Sequence, residues 1–216
     1  MVDFTYSPPD QPLSVIHEDR DFVIVDKPAG LLSVPGRGAH LADCLIARLQ
    51  AIWPEVLLVH RLDLDTSGVM VFARTKPAQG AISQQFEKRL VDKHYVARVA
   101  GVMAQDAGRV DLPLIVDWPN RPRQHVNHDT GRPARTDWQV IGRDAAETRV
   151  RLVPLTGRTH QLRVHMAELG HPILGDTLYA SGAALDHPRL MLHAEGLHLH
   201  HPVTGTPLTF TAPAPF

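Results

Sequence analysis

Short apolar runs, each cut off by a turn signal, dominate the chain. Phe22 to Asp26 reads as a buried strand running into the turn Lys27-Pro28-Ala29-Gly30. Leu41, Leu45, Ile46, Leu49 and Ile52 fall on one face of a helix that stops before Pro54, and Ala78, Ile82 and Phe86 mark a second helix after Pro77. Between them Val69 to Ala73 reads as a strand. Further strands are predicted at Tyr95 to Val102, Thr136 to Ile141, Thr148 to Val153, Leu190 to His193, Leu197 to His200 and Leu208 to Thr211. A third helix spans Gln161 to Leu169, with Leu162, His165, Met166 and Leu169 on one face and Gly170 as a left-handed cap. Strands and helices without regular alternation predict an α+β fold, a mixed or antiparallel sheet with flanking helices. Pro8, Pro9 and Pro12 predict an extended arm over residues 1–12, leaving 13–216 as one domain.

Composition keeps this picture globular. Of the 216 residues 44% are hydrophobic and 21% charged, which excludes disordered and collagen-like chains. No apolar stretch approaches a membrane span and no basic-then-apolar leader opens the chain, so neither a membrane nor secretion is expected. The single cysteine, Cys44, forms no internal disulfide, which suits a reducing cytoplasm. A net charge of −1 gives no overall attraction to nucleic acid, but Asn120 to Arg135 carries Arg121, Arg123, Arg132 and Arg135 against one acid, Asp129. That segment is either a phosphate-facing loop or a solvated one.

Candidate chemistry concentrates at His60-Arg61-Leu62-Asp63-Leu64-Asp65-Thr66-Ser67-Gly68, just before the strand at Val69. Reactive groups are commonly displayed at strand edges, although a lone aspartate there is usually a turn or cap residue. The segment resembles the HRLDxxTSG signature of the RluA family of pseudouridine synthases. Lys27 to Pro35 resembles the family's KPxGLxxxP block, and Lys93 to Ala97 its KxYxA block. Thr156 to Arg163 with His165, and His171 to Asp176 with Tyr179, resemble TGRxHQxRxH and HPxxGDxxY. Leu192-His193-Ala194, His201-Pro202 and Thr204-Gly205 complete the series in order.

This resemblance implies the pseudouridine synthase catalytic-domain fold and isomerisation of uridine within RNA, with no metal and no cofactor. It makes Asp63 the nucleophile. A carboxylate attacks only when ionised, and a fixed cation beside it keeps it so in an apolar setting; the resemblance gives that place to Arg163. Tyr95 matches the tyrosine whose ring packs against uracil. The Asp117 to Pro122 segment, with no added S4-like domain ahead of the catalytic one, resembles the branch of the family that acts on both 23S rRNA and tRNA. Extruding the base costs roughly a few kcal/mol, and the planar guanidinium of Arg61 is the expected filler of the gap, unless it merely pairs with Asp65. Arg121, Arg123, Arg132 and Arg135 are the expected RNA clamp, and a monomer is expected.

Other readings fit less of the chain. The fourteen histidines match no closed metal site, with His193, His198, His200 and His201, or His160 and His165, as the best groupings. A glycosidase or nucleoside glycosylase using Asp63 and Asp65 also breaks a C1′ bond, but leaves the other blocks unexplained. A non-catalytic RNA-binding module would not need Asp63, Tyr95 and Arg163 together.

Overall fold

A computed structural model describes residues 5–216, so residues 1–4 of the expected arm lie outside the described residues. The strands are β1 (Ser14–Glu18), β2 (Phe22–Lys27), β3 (Leu57–Leu58), β4 (Ser67–Ala73), β5 (Asp92–Ala100), β6 (Ala107–Asp111), β7 (Leu114–Val116), β8 (Gln124–Val126), β9 (Arg135–Arg143), β10 (Glu147–Pro154), β11 (Leu192–His200) and β12 (Pro207–Thr211). The α-helices are α1 (Leu45–Gln50), α2 (Lys76–Glu87) and α3 (Gln161–Glu168). The fold is α+β, and β1–β2, β2–β4, β11–β12, β5–β10, β10–β9 and β9–β6 all pair antiparallel. None of the described helices is long and apolar enough to cross a membrane.

The chain forms two compact units, residues 1–92 with 194–213, and residues 93–193 with 214–216. In the first, the strand order is β1-β2-β4-β11, with β3 paired to β4 and β12 to β11. Phe22, Ile24, Val69, Val71 and Ala73 alternate onto one face and bury against Ala78 and Ile82 of α2 and Leu197, Leu199 and Ala212. α2 starts where Thr75 accepts a hydrogen bond from the Ala78 N–H, with Pro77 in its first turn. The arm is tied down: the Tyr6 hydroxyl donates to Asp43 O and accepts from Leu32 N, and Arg48 donates to Pro9 O at 2.8 Å.

In the second unit the order is β5-β10-β9-β6, and α3 lays Leu162 and Met166 over Ala97, Val99, Trp138, Val150 and Leu152. β7 and β8 form a separate hairpin. Gly170 ends α3 with φ of 81°, the expected left-handed cap.

Three expectations need correction. The first helix begins at Leu45, because the chain from Ala39 to Leu41 closes as a separate 3₁₀ turn, and Cys44 is extended. The expected strands Leu190 to His193 and Leu197 to His200 merge into one, β11, which begins only at Leu192 and whose interior Gly196 pairs with Thr211 instead of breaking it. Asn120 to Arg135 is no single loop, since β8 runs through it.

Gly68, the second residue of β4, has φ of 114°, and a Cβ there would sit 2.6 Å from Ala194 N and closer still to its carbonyl oxygen. Both the conformation and the space demand glycine. Gly68→Ala should therefore lose more than about 2 kcal/mol in chemical denaturation.

Candidate active site

Asp63 sits half-buried in the loop between β3 and β4, and its neighbours on both sides are clamped by the turn that follows β2. On one side the Ser33 hydroxyl donates to Leu62 O at 2.7 Å and accepts from Leu62 N at 3.2 Å. On the other, Leu64 O accepts from Gly30 N at 3.0 Å and from the Lys27 ammonium at 2.9 Å. Lys27 is fully buried and also donates to Pro28 O and Leu31 O, at 2.9 and 2.7 Å. One cation thus closes the turn on itself and joins it to the loop. His60 holds the far end, its Nε2 accepting from Val71 N at 3.1 Å while its ring stacks on Phe86. A carboxylate on such a loop has its backbone fixed, which is how a reactive group is preorganised.

Arg61 is exposed and makes no hydrogen bond or ion pair among the described residues, so the alternative pairing with Asp65 is not formed.

Tyr95 and Arg163 belong to the second unit. Tyr95 lies in β5 opposite Leu152 and packs on the core of that unit. Arg163 is 5% exposed on α3, where Gln161 to Met166 are all buried. Over these six residues no helix face is left to solvent, which is why periodicity could not orient this arginine. Its Nε and Nη2 donate to the two oxygens of fully buried Asp176, at 2.8 and 2.7 Å. Asp176 Oδ1 also accepts from Leu178 N and Tyr179 N, so the buried carboxylate is compensated by charge and by backbone donors.

α3 is anchored by a directional chain of buried groups. Gln161 Nε2 donates to Thr136 Oγ1 at 3.0 Å and to Arg135 O, while its Oε1 accepts from Thr156 Oγ1 and Arg158 N. Thr136 Oγ1 lies 2.9 Å from His165 Nδ1, and His165 Nε2 lies 3.1 Å from Leu112 O. A carbonyl only accepts, so Nε2 carries the proton and neutral His165 takes the Thr136 hydroxyl proton at Nδ1. Burial pushes His165 below its ordinary value, against the opposing pull of Leu112 O and Asp111.

The four clamp arginines separate. Arg121 and Arg123 lie at the end of the β7–β8 hairpin, where the Arg121 guanidinium stacks 4.2 Å over Trp118, itself 64% exposed. Arg132 follows β8, bridged to Leu114. Arg135 opens β9 and pairs with Asp111 at 2.7 Å, which removes much of its charge from the patch.

Asp19, Asp21 and His201 are the acid–histidine group close enough to share a cation among the described residues. His201 Nδ1 accepts from Val203 N and Thr204 N, so its proton is on Nε2, which lies 3.4 Å from Asp19 Oδ2.

Lys27, Ser33, Gln161, His165, Asp176 and Tyr179 all stood inside the motif blocks, yet nothing in the sequence showed what each would touch. Only the spacing flagged them.

Comparison with known proteins supplies the family. The description of RNA pseudouridylate synthases fits residues 21–168. The chain is 52% identical over 214 residues, 98% of both chains, to the dual-specificity RNA pseudouridine synthase RluA of Escherichia coli (strain K12). It is 49% identical over 213 residues to the protein of that name from Vibrio cholerae, covering 98% of this chain and 87% of that one. Among solved structures, human RNA Pseudouridylate Synthase Domain Containing 1 superposes with a TM-score of 0.81 at 31% identity, covering 97% of this chain and 87% of that one. Human RNA Pseudouridylate Synthase Domain Containing 4 gives 0.76 at 27% identity, covering 94% and 88%.

Removing the Lys27 ammonium leaves three carbonyls short of a donor. Lys27→Met should lower stability by about 3 kcal/mol and reduce turnover of the remaining folded protein. The His165 linkage has a defined sign. Its protonated form is disfavoured in the fold, so its contribution is complete above pH 6.5 and is lost as the pH falls below that value. The thermal midpoint should decline across that window, and less steeply in His165→Asn.

Proposed function

We propose, from the premise that this chain belongs to the RNA pseudouridylate synthase family, that Asp63 performs the attack that converts uridine to pseudouridine in RNA. The chain is an RNA pseudouridine synthase. The reaction breaks the bond between C1′ and N1, turns the freed uracil and joins C1′ to C5; C5 loses its hydrogen to solvent and N1 takes up a proton. Nothing is gained or lost overall, so a positioned carboxylate, a partner cation and a site for the rotating base suffice.

The observation that carries the assignment is the double clamp on Asp63. Ser33 grips the residue before it, and Lys27 and Gly30 grip the residue after it. A surface turn would have no use for a buried ammonium to hold its backbone.

Within this reading Arg163 is the cation that keeps Asp63 ionised and Tyr95 packs on the uracil ring. Asp176 occupies the Nε edge of Arg163, and an arginine has five donors in a planar fork, so one edge engaged leaves the group able to serve another carboxylate. Arg61 is the candidate to enter the stack when the target base is extruded, and its exposed, unengaged side chain suits that role. Arg121, Arg123 and Arg132 contact phosphates, with Arg135 secondary because Asp111 holds it. The RNA targets are 23S rRNA and tRNA, two substrates in keeping with the dual specificity in the relatives' name, and the protein acts as a monomer without metal or cofactor.

The test uses chelator-treated protein with tRNA and 23S rRNA fragments carrying tritium at C5 of uridine. Tritium should appear in water from defined sites, and Asp63→Asn should abolish release by more than about 1000-fold while keeping RNA affinity. Free uracil as product would make the protein a glycosylase, and turnover by Asp63→Asn would remove Asp63 from the chemistry.

A further inference from the structure

Tyr179 touches, within one unit, both the arginine-bearing hairpin and the buried ion pair of α3. Its ring is flanked by two guanidinium groups, that of Arg163 5.2 Å from the ring centre and that of Arg123 at 5.4 Å. Its backbone N–H donates to Asp176 Oδ1, the oxygen that also takes Arg163 Nη2. Its hydroxyl accepts from Gln124 N, the first residue of β8, at 2.7 Å, and lies 2.7 Å from His160 Nδ1, at the N-cap of α3. Burial pushes the phenol up to about 12, so it keeps its proton and donates it to His160 in the tautomer with hydrogen on Nε2.

His160 itself stands in the left-handed region, with φ of 52°. A non-glycine residue held there is strained and persists only where its surroundings fix it. One contact that fixes it is the ring's bond to Tyr179. The hairpin is in the opposite condition. Two strands of three residues, β7 and β8, are too few to be stable alone and need an outside tether. Gln124 N to Tyr179 is such a tether at the base of the segment that displays Trp118, Arg121 and Arg123.

We propose that Tyr179 is a positioning residue that locks the RNA-contacting hairpin to the helix carrying Arg163, so that docking of the RNA backbone and placement of the active arginine share one register. This rests on the reading above that Arg163 serves the reaction and the hairpin serves RNA. A misplacement of about 1 Å is enough to slow a positioned reaction by about a hundredfold, so such a lock acts on rate even when every reacting group is intact.

The experiment measures single-turnover pseudouridine formation at saturating tRNA, RNA affinity, and the melting midpoint, for Tyr179→Phe, His160→Gly, His160→Asn, Arg123→Ala and Arg163→Ala. Tyr179→Phe loses only the hydroxyl. It should slow the rate of fully folded protein, assayed well below its midpoint, by about tenfold, the size of one or two buried hydrogen bonds. A purely structural hydroxyl would lower the midpoint and leave that rate alone. His160→Gly relieves the left-handed strain but removes the acceptor, so it should fold and still be slow. Asparagine tolerates the left-handed region and sets an acceptor the same number of bonds from the backbone, so His160→Asn should recover most of the rate. Arg123→Ala should weaken RNA binding, and combined with Tyr179→Phe should cost less than the product of the two effects. Normal rates in Tyr179→Phe or His160→Gly, beside impaired Arg163→Ala and Arg123→Ala, overturn the inference alone. Normal turnover in Arg163→Ala overturns the reading beneath it as well.

Discussion

A lysine ammonium with no exposed surface organises the segment around Asp63. Burying such a charge is unfavourable by several kcal/mol unless its donors are met, and Lys27 meets them with the carbonyls of Pro28, Leu31 and Leu64. The first two carbonyls belong to the turn that ends β2. The third lies thirty-seven positions away, one residue past Asp63. Because an unmet ammonium cannot stay buried, the turn and the loop must come together or the strand that carries Lys27 cannot be in place. Ser33, from the same turn, adds the second grip on the loop, and the β2–β4 register that sets Lys27 opposite Gly68 brings both to the point where the loop enters β4.

The second unit uses the same logic with the signs exchanged. Its buried charge is the Asp176 carboxylate, satisfied by the fork of Arg163 and two backbone donors. Around it the Gln161 side chain binds four partners at once, each with the polarity it requires, and so fastens the start of α3 to β9 and to the turn before the helix. Fully satisfied buried networks of this kind select one arrangement, since any alternative strands a polar group away from water. A synthase needs that selectivity more than it needs stability, because its reaction supplies no new atoms and depends on where existing ones are held.

Much of this was legible in the chain. The alternation of apolar residues fixed β2, β4, β9, β10 and β12 to within a residue or two, and the spacing of Ala78, Ile82 and Phe86 found α2. Edge elements were not legible. β1, β6, β7 and β8 are short and half-exposed, and their pairing comes from neighbours already in place, not from a pattern of their own. Leu41 looked helical by spacing, but the chain turns at Ala39 to Leu41 and restarts, a choice made by backbone closure.

The sequence alone determined the α+β class, the family resemblance and the candidacy of Asp63, Tyr95 and Arg163, because periodicity and ordered motifs are properties of one dimension. It could not give the partners. That Arg163 shares its fork with Asp176, that Tyr179 spans to Gln124 and His160, and that Lys27 reaches Leu64 are facts about groups distant in the chain. Hydrogen bonds and ion pairs act over about 3 Å of space, and only the tertiary structure decides which residues stand that close.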